Sequence, residues 1–166
     1  SHRDMRGKRV LLVEDNALNR EISRELLEGE GFAVEEAADG DEAVEKLWQE
    51  GPGRYDLVLM DIQMPRMNGL EASRTIRGGS NPLGQTIPII AMTANAFTED
   101  IRDCLNAGMD AHVSKPIDIA VLERTLRNLM AENAGGAKPG NRGWYRLNRK
   151  TLKMVERTVV HLSEKS

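Results

Sequence analysis

The chain has 166 residues, of which 40% are hydrophobic and 30% charged, so it is long enough for one ordinary domain and too short for two full-sized ones. No uninterrupted apolar run exceeds four residues, whereas a membrane span needs about 20 and the core of a signal peptide about 7–15. The single cysteine, Cys104, excludes a disulfide framework and a multi-cysteine metal site. We therefore expect a cytoplasmic protein and no membrane contact by this segment.

The net charge of −3 conceals an uneven distribution along the chain. Residues 137–166 carry eight Lys or Arg and two Glu, a net +6, which leaves 15 basic and 24 acidic residues, a net −9, in the rest. An acidic body repels a phosphate backbone, so we predict no nucleic acid binding by this domain.

Short apolar runs of strand length alternate with segments whose apolar residues recur every three or four positions, as on one face of a helix. Strands are predicted over Arg9–Glu14, Phe32–Ala37, Asp56–Asp61, Ile87–Met92 and Ala111–Ser114. Helices are predicted over Ala17–Glu28, Gly40–Glu50, Gly69–Arg77 and Thr98–Ala107, with a last helix beginning at Asp118. The composition of Gly78–Gln85 predicts a loop.

Three of these strands are uniformly apolar rather than alternating, which is typical of strands buried on both faces. Because each connection contains a helix, neighbouring strands are expected to run parallel. The sequence therefore predicts an α/β fold with an open, doubly wound sheet of five parallel strands and helices on both faces. Such sheets bind ligands beyond the carboxyl ends of their strands, where the strand order switches direction.

Residues that carry chemistry follow four of the predicted strands. Glu14 and Asp15 lie at the end of the first, Asp61 at the end of the third, Thr93 at the end of the fourth, and Lys115 at the end of the fifth. Each has an ordinary explanation alone, since an acidic residue can cap the next helix and a lone lysine is usually solvated. Together they predict one site, because the ends of parallel strands meet at one edge of the sheet.

Three carboxylates at one edge would repel one another, by roughly 4 kcal/mol for a pair ~4 Å apart at an effective dielectric near ~20. Lys115 supplies one positive charge, and a divalent cation would supply two more. Oxygen ligands without a His or Cys set favour Mg²⁺ over zinc, and Mg²⁺ commonly bridges carboxylates and phosphate oxygens. The residues therefore predict a site at which an aspartate attacks phosphorus and becomes an acyl phosphate.

Four segments, in this order and at these spacings, resemble the receiver domain of two-component response regulators: VLLVEDNALNR, DLVLMDIQMPRMNGLE, IIAMTANA and AGMDAHVSKPI. The resemblance extends from about Lys8 to Met130 and is greatest to the receivers of hybrid sensor histidine kinases. It implies the flavodoxin-like strand order 2-1-3-4-5. It also implies phosphorelay signalling, in which a histidine kinase or a histidine phosphotransfer domain donates the phosphoryl group.

The resemblance also implies how the site is divided between phosphoryl transfer and metal binding. Asp61 matches the phosphoacceptor of the family. Glu14 and Asp15 match the acidic pair that, together with Asp61, holds Mg²⁺. The backbone carbonyl of Gln63 matches the remaining protein ligand of that metal.

Further positions match the residues that couple phosphorylation to a change of shape. Thr93 matches the switch hydroxyl, Lys115 matches the lysine that pairs with a phosphoryl oxygen, and a cis peptide is implied before Pro116. Ala94 matches a position that is kept small so that the phosphoryl group remains accessible. The aromatic switch position holds His112, where the family usually has Tyr or Phe, and this departure puts the simple rotamer switch in question.

Two other functions remain open from the residues alone. One is a receiver-like protein-interaction module that is not phosphorylated, with which His112 is compatible. The other is a phosphohydrolase with an aspartyl nucleophile, although such enzymes usually have a second carboxylate two residues later, where this chain has Gln63. As a receiver, the chain would catalyse only its own phosphorylation and dephosphorylation, as part of a hybrid histidine kinase.

The start of the first helix is a candidate docking site for a helical phosphodonor. Ala17, Leu18 and Ile22 lie close to Glu14 and Asp15 in the sequence. Either one of them is exposed for that contact, or all three are part of the hydrophobic core.

The receiver domain is predicted to span residues 8–131, with residues 1–7 as an N-terminal extension or cloning remnant. Residues 132–166 are predicted to be a linker, rich in Gly, Pro and Asn, followed by a basic tail. Apolar residues of the tail recur at helical spacing, at Leu152, Val155, Val159 and Leu162. The tail could begin another module, dock as a helix on a partner or on the acidic body, or derive from an expression vector.

Overall fold

The computed structural model describes residues 5–49, 54–94 and 98–134 of the chain. Within this part the strands are β1 (Arg9–Val13), β2 (Ala33–Ala37), β3 (Leu57–Asp61), β4 (Ile89–Thr93) and β5 (Ala111–Ser114). The helices are α1 (Ala17–Gly29), α2 (Gly40–Gln49), α3 (Gly69–Gly78), α4 (Pro82–Thr86), α5 (Thr98–Asn106) and α6 (Ile119–Ala134). None of the described helices is long and apolar enough to cross a membrane. The basic tail and most of the linker lie outside the described residues.

The five strands form one sheet in the order β2-β1-β3-β4-β5, and every pair of neighbours is parallel. This confirms the predicted doubly wound fold and its strand order. The switch in direction lies between β1 and β3, since β2 is on one side of β1 and the later strands are on the other. The carboxyl ends of β1 and β3 therefore flank the predicted ligand-binding crevice.

A hydrophobic core lies on each face of the sheet. Successive residues of a strand point to opposite faces, so Leu11 and Val13 belong to one core and Val10 and Leu12 to the other. Apolar residues of α2, α3, α4 and α5 cover the first face, and those of α1 and α6 cover the second. β1, β3 and β4 are nearly or completely buried, which explains their uniformly apolar sequences.

The prediction of a loop over Gly78–Gln85 is wrong in part, because helix α4 begins inside it. Asn81 caps this helix by accepting a hydrogen bond from the backbone N–H of Leu83, and Pro82 occupies its first turn. The Asn81 side chain also donates to the carbonyl of Leu47 at the end of α2, at 2.6 Å. In the sequence, the helix-start signal consists of only Asn81 and Pro82. It follows Gly and Ser residues that are typical of loops, which is why the sequence pattern predicts a loop.

The apolar stripe of α1, which we define as Leu18, Ile22 and Leu26, faces solvent. The exposed fractions of these residues are 64%, 46% and 40%, whereas the neighbouring Leu27 is fully buried. Ala17 is exposed as well. Of the two alternatives for the start of α1, the structure therefore supports exposure.

A buried ion pair fixes the edge of the sheet opposite the carboxyl ends. The guanidinium of Arg77, on α3, is 2.8 Å from the Asp110 carboxylate and also donates to the carbonyls of Gly108 and Gly84. Asp110 in turn accepts the backbone N–H of Ile89 at 2.9 Å. One arginine thus ties α3 to α4 and to the loop before β5.

We predict that Arg77→Met lowers the free energy of unfolding by about 3 kcal/mol, because it leaves a buried carboxylate without its cation. Denaturation by urea measures this change. Lys46→Met is the matched control, since Lys46 makes a partly exposed pair with Glu42 at 3.8 Å and should cost less than about 1 kcal/mol. Equal losses in the two variants would contradict a special role for Arg77.

Candidate functional site

Three carboxylates meet beyond the carboxyl ends of β1 and β3. Asp61 is the last residue of β3, and Glu14 and Asp15 follow β1. One oxygen from each of the three lies within 4.8 Å of the others. Glu14 and Asp61 are buried, whereas Asp15 is exposed at the rim. The structure therefore brings the three predicted acidic residues together in one cluster.

Lys115 reaches into this acidic cluster from the end of β5. Its Nζ is 2.9 Å from Asp61 Oδ1 and 3.2 Å from Glu14 Oε1. Burial opposes the charged form of the amine, but the two carboxylates outweigh it and raise the pKa of Lys115 above its ordinary value. The ammonium group therefore remains charged at neutral pH and partly neutralises the cluster.

Asp61 has the most perturbed carboxyl group of the site. Burial and, to a smaller extent, the adjacent Glu14 carboxyl raise the pKa of Asp61 to about 6, against the opposing effect of Lys115. Ionisation of Asp61 therefore destabilises the folded state, and a bound cation would offset this effect. Strongly perturbed acids in a cleft are typical of functional sites.

The acidic cluster opens into a small cavity of about 50 Å³. Its lining includes Asp61, Gln63, Thr93, Ala94 and Lys115. Thr93 is buried at the end of β4, and its hydroxyl has no hydrogen-bond partner among the described residues. A polar oxygen without a partner at the wall of a polar cavity indicates a place where a ligand oxygen can bind.

Local sequence determines how the chain leaves β3 at Asp61. Gly69 begins α3 directly against this strand end, and a Cβ at this position would lie 2.2 Å from the Asp61 carbonyl oxygen. Asn68 caps the same helix by accepting the backbone N–H of Glu71 at 2.9 Å. Gly69 is therefore required by a close approach between α3 and the strand that carries Asp61, and Asn68 begins the helix at that point.

The backbone of the remaining site residues agrees with the resemblance. The Lys115–Pro116 peptide bond is cis, as implied. The backbone N–H of Gln63 donates to Asp61 Oδ1 at 3.2 Å, which places this residue beside the acidic cluster. His112 lies on β5 opposite Ala91, half-buried, and burial lowers its pKa.

The donor set of the acidic cluster fits Mg²⁺. All candidate donors are oxygens, Asp15 is accessible from solvent, and the described part of the chain adds no His or Cys to the cluster. Mg²⁺ prefers one or two carboxylates together with water and phosphate oxygens, whereas zinc prefers nitrogen and sulfur. The structure thus supports the predicted metal from the chemistry of its ligands.

Comparison with known protein families agrees with this geometry. Residues 10–127 match the family described as the response regulator receiver domain, which is well over half of the chain. The chain belongs to this family. As a receiver domain, it is expected to show the five-stranded parallel sheet with order 2-1-3-4-5 and the acidic strand ends described above.

Curated relatives of this receiver are found in both kinases and separate regulators. The chain is 33% identical over 151 residues to Probable histidine kinase 1 of Oryza sativa subsp. indica, covering 74% of this chain and 15% of that protein. It is 44% identical over 111 residues to the two-component response regulator ORR41 of Oryza sativa subsp. japonica, covering 66% and 84%. The receiver thus spans only a small part of its kinase relatives.

A solved structure provides a further comparison. The receiver domain of a sensor histidine kinase from Pseudomonas aeruginosa PAO1 has a TM-score of 0.65 and 41% sequence identity to this chain. The match covers 74% of this chain and 96% of that one. That receiver was crystallised with a magnesium ion coordinated in its active-site cleft.

One residue near the acidic cluster was not identified from the sequence. Arg20, on α1, donates to the backbone carbonyl of Glu14 at 2.8 Å. Arg20 ends the segment VLLVEDNALNR, but nothing in its spacing indicates that the side chain turns back towards the strand end.

We predict that Asp61→Asn stabilises the fold at neutral pH when Mg²⁺ is absent. A carboxyl group whose pKa is higher in the folded state destabilises that state once it ionises, so native stability falls between about pH 4 and pH 6. After allowance for solvent screening, the gain at pH 7 should be about 1–2 kcal/mol. It should disappear below about pH 4, where Asp61 is protonated.

Urea denaturation at several pH values, in the presence of a chelator, measures this gain. Asp41→Asn is the control, because Asp41 is an exposed carboxylate in the first turn of α2. If Asp61→Asn were less stable than the native chain, or if its gain in stability did not vary with pH, the claim that ionised Asp61 destabilises the metal-free fold would be wrong.

Proposed function

We propose that the chain is a phosphoacceptor receiver, which takes a phosphoryl group from a phosphohistidine onto Asp61 and changes conformation to signal. The observation that carries this proposal is the position of the Asp61 carboxylate. It lies against the Lys115 ammonium group, beside Glu14 and Asp15, at a cavity that is also lined by Thr93. A nucleophile, an acidic pair for a metal and a hydroxyl donor therefore surround one space.

In the transfer step, a carboxylate oxygen of Asp61 attacks phosphorus and forms a P–O bond. The P–N bond of the donor breaks, and the departing imidazole takes up a proton. Lys115 Nζ already contacts Asp61 and supplies positive charge where the phosphoryl oxygens arrive. Glu14, Asp15, Asp61 and the carbonyl of Gln63 are proposed to hold Mg²⁺, which when bound neutralises phosphoryl charge.

Thr93 is the proposed switch residue. Phosphorylation adds a charge of about −1 and new acceptor oxygens at Asp61. The Thr93 hydroxyl, buried and without a partner among the described residues, can donate to one of these oxygens. Movement of Thr93 would then alter the packing against β5, the neighbouring strand, on which His112 lies.

The resemblance to hybrid kinases extends the proposal to the whole protein. Its kinase relatives are much longer than this chain, so we propose that the receiver is part of a hybrid histidine kinase in the cytoplasm. Its donor would be a histidine kinase or a histidine phosphotransfer domain. The receiver itself catalyses only its own phosphorylation and dephosphorylation under this proposal.

The donor is proposed to dock on the apolar stripe of α1. Beside this stripe is a groove of about 260 Å³, whose lining includes Ile22, Leu26, Pro116, Ile117 and Glu14. Exposed apolar residues next to a reactive carboxylate suit an amphipathic helix that must bring a phosphohistidine to Asp61. Docking therefore combines an apolar contact with access to the acidic cluster.

Acetyl phosphate with Mg²⁺ tests the phosphoacceptor role without a protein donor. The native chain should gain the mass of one phosphoryl group, and Asp61→Asn, although folded, should gain none. Retention of the added mass in Asp61→Asn would defeat the assignment. No labelling of the native chain would favour the interaction module, and continuous turnover of a small phosphomonoester would favour a phosphohydrolase.

A second prediction tests the docking surface. The double variant Leu18→Ala/Ile22→Ala removes two exposed apolar contacts, so phosphotransfer from a phosphorylated histidine phosphotransfer domain should slow by about tenfold or more. The rate with acetyl phosphate serves as the reference for each variant, and the ratio of the two rates is the quantity measured.

Trp48→Ala is the matched control, because Trp48 is a 54% exposed apolar residue on α2, on the other face of the sheet. Its rate ratio should equal that of the native chain. A normal ratio in the double variant, or an equal loss in Trp48→Ala, would exclude the apolar stripe as the docking surface.

A further inference from the structure

Arg20 forms a contact that connects α1 to the acidic cluster. Its Nη1 donates to the backbone carbonyl of Glu14 at 2.8 Å, and its Nε is 3.6 Å from Glu36 on β2. The side chain is only 20% exposed, in contrast to the 44% of Arg24 one turn later. Arg20 is therefore held between a strand end and a neighbouring strand.

Several hydrogen bonds hold the turn that carries the acidic pair. The backbone N–H of Glu14 donates to the carbonyl of Ala37 at 3.1 Å, and its carbonyl accepts from Arg20. The Asn16 side chain accepts the backbone N–H of Asn19 at 2.9 Å and caps α1. Lys115 also contacts the Glu14 carboxylate, but it belongs to the site itself. The Arg20 contact can be removed by a substitution that leaves the acidic cluster and Lys115 in place.

Such a restraint matters because the carboxylates repel one another before a cation arrives. Asp15 is exposed at the rim, and a flexible turn would allow its carboxylate to move away from Asp61 into solvent. If the turn became ordered only when the metal binds, the loss of conformational entropy would weaken metal affinity. A turn that is already ordered in the folded chain avoids this loss at the binding step.

We propose that Arg20 is a positioning residue, which holds the Glu14–Asp15 turn so that its carboxylates are arranged for Mg²⁺ before the ion binds. Among the described residues, the polar side-chain contacts of Arg20 are with the Glu14 carbonyl and the Glu36 carboxylate. Its effect is transmitted through the carbonyl of Glu14. The inference rests on the proposed metal site, but it concerns binding of the ion and does not require transfer of a phosphoryl group.

Simple electrostatics gives the opposite expectation, and this makes the test decisive. A positive charge near a cation site opposes the cation, so removal of the Arg20 charge alone would leave Mg²⁺ affinity unchanged or raise it. If Arg20 positions the turn, its removal lowers Mg²⁺ affinity. The sign of the change therefore separates the two explanations.

The experiment is calorimetric titration of the full chain with Mg²⁺. Arg20→Met keeps the aliphatic stem but removes the donors, and we expect Mg²⁺ affinity to fall by about tenfold, as for other residues that orient metal ligands. Arg24→Met is the matched control, because Arg24 also lies on α1 and pairs with Glu36 at 3.3 Å, yet no contact with Glu14 is described for it. It should change the affinity by less than about twofold.

A second measurement needs no metal. Amide hydrogen exchange of Asp15 and Asn16 in the metal-free chain should be faster in Arg20→Met than in the native chain and in Arg24→Met. Unchanged or tighter Mg²⁺ binding by Arg20→Met, equal losses in both arginine variants, or no saturable Mg²⁺ binding by the native chain would overturn the proposal. Native Mg²⁺ binding without any acyl phosphate would instead overturn the proposed function and leave this inference standing.

Discussion

The contact of one ammonium group with two buried carboxylates is the interaction on which this site depends. Lys115 Nζ lies within 3.2 Å of both Asp61 and Glu14, and Asp15 completes the acidic cluster. Three carboxylates against one ammonium leave an excess of negative charge when all are ionised. Burial is the main cause of the raised pKa of Asp61, and the neighbouring Glu14 carboxyl adds to it. A divalent cation held by these carboxylates would offset the excess and reduce the repulsion that an incoming phosphoryl group meets.

The fold is what allows this contact to form. Glu14 and Lys115 are 101 positions apart in the sequence, and they meet because parallel strands present all their carboxyl ends at one edge. The order β2-β1-β3-β4-β5 places β3 next to β1 and β4 next to β3. Both hydrophobic cores and the buried Arg77–Asp110 pair stabilise this order, although they lie away from the chemistry.

The acidic cluster could be predicted because its residues follow strongly apolar strands, and the end of a buried strand is easy to locate. Asp61 and Thr93 end such strands, and Glu14 directly follows one. The same argument gave the sheet, since uniform apolar runs separated by amphipathic segments permit few other arrangements. The cis bond at Lys115–Pro116 followed from the resemblance and not from any local pattern.

Other features depend on tertiary contacts that a pattern does not encode. The apolar stripe of α1 has helical spacing whether it faces the core or solvent, and only the structure shows that Leu27 takes the buried position. Helix α4 depends on Asn81, whose side chain caps α4 and also donates a hydrogen bond to the end of α2. The contact of Arg20 with the Glu14 carbonyl requires a particular side-chain direction at the start of α1. Each of these features is determined by contacts between different helices and strands, and not by the local sequence of one element.

The acidic cluster is tested most directly as a metal site by locating the position at which a divalent cation binds. Mn²⁺ accepts the same carboxylate, carbonyl and water ligands as Mg²⁺, and its anomalous scattering locates it in a crystal of the chain soaked with the ion. We predict a strong anomalous peak in contact with the carboxylates of Asp15 and Asp61 and close to the carbonyl of Gln63. The absence of a peak there, in crystals in which Mn²⁺ is bound elsewhere, would contradict the proposed metal site.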